Sequence, residues 1–178
     1  MYRDLVAVAK SLYRVSMIAS SLRLEYLCGG YIINLRQIFA VHCGVDIPDT
    51  ICKPMSSDNN LTFGVLYAAL NIAIYVDLRR RGFDVSAVRY EDLVARPLDM
   101  CRVVLEFCHL PVSLAELAVK AFDVDSQANT GIAKSAIGHF KEPQLTPQIK
   151  TKLNEILEKC GVPLIGEPNI IEGTLSCC

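Results

Sequence analysis

The chain predicts an α/β domain, mostly helical, with a remnant of parallel sheet. Three observations lead there. Apolar residues recur at helical spacing in several stretches. The short apolar run Val85–Tyr90 leads into Glu91-Asp92, then Arg96-Pro97 and an amphipathic helix. Open α/β sheets place ligand contacts at such strand-to-helix junctions. Finally, a single strand cannot satisfy its own backbone groups, so Val85–Tyr90 needs neighbours on both sides, and Met1-Tyr2 reads as the end of one. The chain thus reads as the later part of a larger α/β domain, one partial domain over residues 1–178 with an irregular tail at 161–178.

The elements follow in order. Leu5–Ser21 has Leu5, Val8, Ala9, Leu12 and Val15 on one helical face, and Asp4 is placed to cap its start. Leu24–Cys43 is a second apolar segment, broken by Gly29-Gly30. Pro48–Asn60 is rich in Pro, Ser, Asp and Asn and predicts a loop. A long helix is expected over Leu61–Arg81, closed by Gly82. Helices are expected again over Leu98–Cys108, Leu114–Phe122 and Thr146–Cys160. In the last, Thr146 is the N-cap and Pro147 takes the first helical position. Ala128–Lys141 reads as a loop.

Composition narrows the classes. With 18 basic and 19 acidic residues the net charge is -1, which gives no attraction to nucleic acid or an anionic membrane. Hydrophobic residues make up 52% of the chain, enough for a folded core rather than disorder. Asn59–Val76 carries no charge, but its Asn and Thr content and marginal length favour a buried core helix over a membrane span. The eight cysteines are scattered without a CxxC pair, so no metal is expected. Cys101 and Cys108, seven apart, share a helical face and read as buried thiols. The terminal Cys177-Cys178 matches a prenylation signal only by accident.

Other chemistry-bearing residues read as structural. His42 beside Cys43 invites a Cys-His nucleophile, yet adjacent helical residues point about 100° apart. His109 suits a helix C-terminus. Arg79-Arg80-Arg81 reads as a solvated helix end, with an acidic glycan as the bolder reading. Glu91 and Asp92 read as caps or as partners of Arg89 or Arg96.

Four motifs in order resemble the sulfotransferase superfamily that uses 3'-phosphoadenosine 5'-phosphosulfate (PAPS), particularly its carbohydrate-sulfotransferase-like members. The first is Tyr2-Arg3-Asp4-Leu5 with Ser11 eight residues after Arg3. The second is Arg89-Tyr90-Glu91-Asp92-Leu93 with Arg96-Pro97. The third is Phe107-Cys108-His109-Leu110-Pro111, where relatives commonly have Gly at the His109 position. The fourth is Asp125–Thr130 running to Lys134-Ser135, with a faint echo in Gly138-His139-Phe140-Lys141. The family usually has Pro where Leu5 stands.

The resemblance implies a partial P-loop-like α/β fold and a nucleotide site. In it Arg3 and Ser11 hold the 3'-phosphate, Tyr90 touches adenine and Lys134 closes the site as a point charge rather than a fork. PAPS is the implied co-substrate, without a metal, and the acceptor is a small molecule or glycan with a hydroxyl or amine. The phosphosulfate-cradling loop and the general base of relatives have no counterpart in the chain, so little or no catalysis is expected of it and no catalytic residue is assigned. The alternative is a non-enzymatic helical interaction module derived from such an enzyme, binding a partner through an exposed sheet edge or apolar helices, with self-association through that edge. As it stands the chain reads as cytoplasmic, and an upstream anchor would place it in the Golgi.

Overall fold

The computed structural model describes residues 1–21, 35–48, 57–124 and 144–177. In chain order the described elements are α1 (Leu5–Ser21), α2 (residues 35–43), α3 (Ser57–Arg80), α4 (Tyr90–Ala95) and α5 (Pro97–Phe107). A 3-10 turn at Val112–Leu114, α6 (Ala115–Lys120), a second 3-10 turn at Ala121–Asp123 and α7 (Pro147–Cys160) complete them.

The central element is α3. It is apolar on nearly every side, and such a helix must be buried. Leu61, Val65, Leu66, Ala69, Ile72 and Ala73 are all almost inaccessible. By length and composition Leu61–Arg80 could also cross a membrane, but more than half of it lies inside the fold. Against it pack α1, through Leu5 and Ala9, and α7, through Leu153 and Leu157. Phe39, Val45 and Ile47 extend the same core. The α1–α3 approach depends on Gly64. A Cβ there would lie 2.8 Å from the Cα of Ala9 and 3.0 Å from its Cβ. A glycine inside a helix costs about 1 kcal/mol against alanine, and the close packing of α1 on α3 offsets it.

The helix ends follow the expected chemistry. The Asp4 carboxylate accepts the Ala7 N–H at 2.7 Å, and the Thr146 hydroxyl accepts the Ile149 N–H at 3.3 Å. Three helices end in the same paired bonds with a left-handed residue between them. At α3 the left-handed residue is Gly82 (φ 84°), and Phe83 N–H reaches Leu78 O. At α7 it is Gly161 (φ 67°), and Val162 N–H reaches Leu157 O. At α5 it is His109 (φ 56°), and Leu110 N–H reaches Leu105 O.

The expected α/β architecture with a parallel sheet is not what the described residues form. Among the described residues there is no strand; two isolated parallel pairings, Tyr2 with Arg89 and Ala87 with Thr174, stand where the sheet was expected. Tyr2 N–H donates to Val88 O and Tyr90 N–H to Tyr2 O; Ala87 N–H donates to Gly173 O and Leu175 N–H to Ala87 O. The segment therefore finds neighbours on both sides, but each for a single residue. On one side Asp4 already caps α1; on the other Gly173 turns away at φ 76°. Tyr90 itself enters α4. Without a strand ladder there is no sheet edge among the described residues for self-association. The Tyr2 hydroxyl bonds the Thr174 Oγ1 at 2.9 Å, while that hydroxyl gives its own proton to Ile171 O at 2.6 Å. Tyr2 thus ties three distant segments together.

Other boundaries shift. The helix expected from Leu61 begins at Ser57, and Leu114–Phe122 divides into α6 and its flanking 3-10 turns. Cys101 is buried, but Cys108 caps α5 and is exposed, so only the first of the two is a buried thiol. The expected break at Gly29-Gly30 and the loop at Ala128–Lys141 lie outside the described residues.

Candidate functional site

The Tyr2–Arg89 pairing sets two distant segments side by side, and the candidate site grows from it. Arg3, next after Tyr2, places its guanidinium carbon 4.6 Å from the centre of the Tyr90 ring. A cation over an aromatic face is held by the ring's quadrupole and spends no N–H donor, so the fork of Arg3 stays available to an acceptor. Its Nε is 4.0 Å from Glu91 Oε1, which also accepts the Asp4 N–H at 3.1 Å. On the far side of Glu91, Arg89 Nε stands 3.6 Å from Oε2, and Arg89 Nη1 is 3.5 Å from Asp92 Oδ1. Arg89 Nε and Glu91 Oε2 are shut off from solvent and make no hydrogen bond among the described residues. Their opposite charges at 3.6 Å remain the main compensation.

The sequence-predicted residues fare differently. Arg3 and Tyr90 are brought into contact. Ser11 lies two turns along α1, half-buried, and no hydrogen bond links it to Arg3, Tyr90 or Glu91. Lys134 and the whole Asp125–Ser135 motif lie outside the described residues, as does Gly138–Lys141. Glu91 and Asp92 pair with Arg89, one of the two partners the sequence offered, and Pro97 starts α5 with no side-chain cap. The group Arg3, Asp4, Arg89, Glu91 and Asp92 holds more carboxylates than guanidiniums, a balance that the spacing of the motifs alone did not disclose.

His42 Nδ1 meets Asp77 Oδ2 at 2.8 Å. That bond, with Arg81 Nη1 3.7 Å away, holds the Asp77 carboxyl below its ordinary value. Burial raises the thiols of Cys43 and Cys101, and pushes Cys160, beside Cys43, up to about 12. Thiols so raised carry little thiolate at neutral pH, so the imagined Cys43–His42 nucleophile is not assembled. Among the described residues no group of three or more His, Cys, Asp or Glu side chains is arranged to hold a metal ion.

Two surface features were missed at the sequence level. One is an apolar cleft of about 270 Å³ between α4, α5 and α6, lined by Leu93, Cys101, Val104, Leu105 and Phe122. Exposed Leu110, Val112, Leu114 and Leu117 follow α5 in the chain. The other is a cavity where α3 and α7 end, built from residues nearly a hundred positions apart. Proximity of that kind leaves no local spacing to read.

No family model matches the chain, and no curated protein and no solved structure matches it either.

Proposed function

We propose that this chain is a sulfotransferase-like protein that binds the nucleotide end of PAPS, or adenosine 3',5'-bisphosphate. The observation that carries the reading is the contact between Arg3 and Tyr90. The residues that the motifs assign to the 3'-phosphate and to adenine come from opposite ends of an 87-residue separation, yet they touch at 4.6 Å. Arg3 offers a planar fork that suits phosphate oxygens in pairs, and Tyr90 offers a flat apolar face for a base. A second observation supports it. His109 stands where the family motif favours Gly, and its backbone is left-handed, the conformation that glycine serves best.

Glu91 competes for Arg3, and magnitudes decide the contest. A half-exposed pair at 4.0 Å is worth roughly 0–1 kcal/mol, whereas charge-assisted bonds to phosphate contribute about 1.5–3 kcal/mol each. A dianionic phosphate therefore displaces the carboxylate, at reduced affinity. Bound PAPS would bring the transferable sulfuryl group; the residues named here only hold its nucleotide.

Calorimetric titration with adenosine 3',5'-bisphosphate tests the reading. Binding should weaken at least about tenfold in Arg3→Ala, one lost charge-assisted bond, and tighten in Glu91→Gln. No binding, or binding indifferent to Arg3→Ala, would sink it. The second reading, a helical interaction module, is favoured by the apolar cleft and the exposed apolar residues between α5 and α6, and it predicts that negative outcome.

A further inference from the structure

We infer that the cavity at the joint ends of α3 and α7 is a binding site for an amphiphilic organic anion: an apolar or aromatic body carrying one sulfate, sulfonate, phosphate or carboxylate head. The cavity measures about 560 Å³, a size suited to a small organic ligand. Val76, Val162, Pro163, Ile170 and Ile171 supply an apolar wall, and Arg79 and Arg80 supply the cations.

Both guanidiniums are seated by glycines. A Cβ at Gly173 would lie 2.7 Å from Arg79 Nη1 and 2.6 Å from the Tyr75 hydroxyl. A Cβ at Gly161 would lie 2.9 Å from Arg80 Nη2. Each glycine also has positive φ, so backbone conformation and side-chain space call for glycine together. Arg79 is anchored by donating Nη1 to Val85 O at 2.9 Å, and its Nη2 meets Glu172 only at 3.4 Å. Glu172 is itself 91% exposed and easily displaced. Arg80 makes no ion pair among the described residues. Of the nearby carboxylates, Asp77 is engaged by His42 and Arg81.

Tethering of the tail accounts for Arg79 and for the Tyr75 hydroxyl, which donates to Glu172 O at 2.9 Å. It leaves unused the exposed Arg80, placed over an apolar wall. A cation beside an apolar surface selects for molecules having both characters, because each partner alone leaves half of the site badly matched. The inference does not depend on the nucleotide reading above, since no residue is shared.

The experiment uses naphthalene-2-sulfonate, its neutral isostere naphthalene-2-methanol, and inorganic sulfate, each titrated into the full chain by calorimetry and amide NMR. The sulfonate should bind at sub-millimolar concentration and shift the amides of Val162, Ile170 and Ile171. The alcohol and sulfate should each bind at least about tenfold more weakly, the loss expected when one strong contact is removed. Arg80→Ala should weaken the sulfonate about tenfold, while Arg81→Ala, the same charge change outside the cavity, should leave it within about twofold. Ile170→Glu, at a position already 64% exposed, should repel it as well. Equal binding of sulfonate and alcohol, indifference to Arg80→Ala, or shifts confined to Leu105 and Phe122 would each overturn the assignment.

Discussion

Replacing Gly64 by alanine should destabilise the protein, against the usual direction of that substitution inside a helix. On propensity alone, alanine gains about 1 kcal/mol. The new methyl would sit 2.8 Å from the Ala9 Cα and 3.1 Å from the Ala9 O. These are backbone atoms of a helix, which cannot rotate aside as a side chain can. To reach ordinary contact, α1 must retreat by roughly 0.6 Å, and overpacking of a close-packed interior costs about 1–3 kcal/mol. Because α1 on α3 is the most extensive helix pairing among the described residues, the retreat also loosens Leu5 and Ala9. The net expectation is a loss of up to about 2 kcal/mol, lowering Tm by up to roughly 8 °C for a domain of this size. Urea unfolding followed by far-ultraviolet circular dichroism measures it. Asn71→Ala, on an exposed face of the same helix, is the control and should stay within about 0.5 kcal/mol. A Gly64→Ala protein as stable as the parent, or more so, would refute the claim that this glycine sets the distance between α1 and α3.

Three further outcomes are expected. His109→Gly should stabilise by up to about 1 kcal/mol, because relief of a left-handed backbone exceeds the added unfolded-state freedom; an unchanged unfolding midpoint would contradict it. Asn169 is buried at 7% exposure, with both amide atoms unpaired among the described residues, so Asn169→Leu should raise stability by about 1–3 kcal/mol; a lower Tm would show that the amide has a partner. Asp77 has its carboxyl held low by the bond to His42. Its contribution is therefore complete above the ordinary value of 3.8 and fades as pH falls through the folded one. The stability gap between parent and Asp77→Asn should hold from pH 6 to about pH 4 and shrink as pH falls below 3.8, read from urea midpoints; a constant gap into acid would count against that linkage.

Local signals were legible in the sequence and long-range ones were not. The span of α1, its Asp4 cap, the Thr146-Pro147 start of α7 and the closing Gly82 all follow from residues within a few positions of each other. Val85–Tyr90 has the composition of a strand, yet a strand is a property of its neighbours. Here Tyr2 and Thr174 each pair for one residue before the chain turns, so the sheet never develops. The site was half legible for the same reason. The motif order put Arg3 and Tyr90 together on paper, and the Tyr2–Arg89 pairing does so in space. The orientation of Glu91 toward Arg3, and the joining of Arg79 and Arg80 to the tail at 161–172, depend on packing that no spacing rule contains.

Where adenosine 3',5'-bisphosphate touches this chain is the most direct test of the functional account. Intermolecular nuclear Overhauser contacts should join the adenine protons to the Tyr90 ring, with amide shifts clustered at Arg3, Asp4 and Glu91. Contacts to any other aromatic ring, or shifts centred on Arg80 and Ile170 instead, would contradict it.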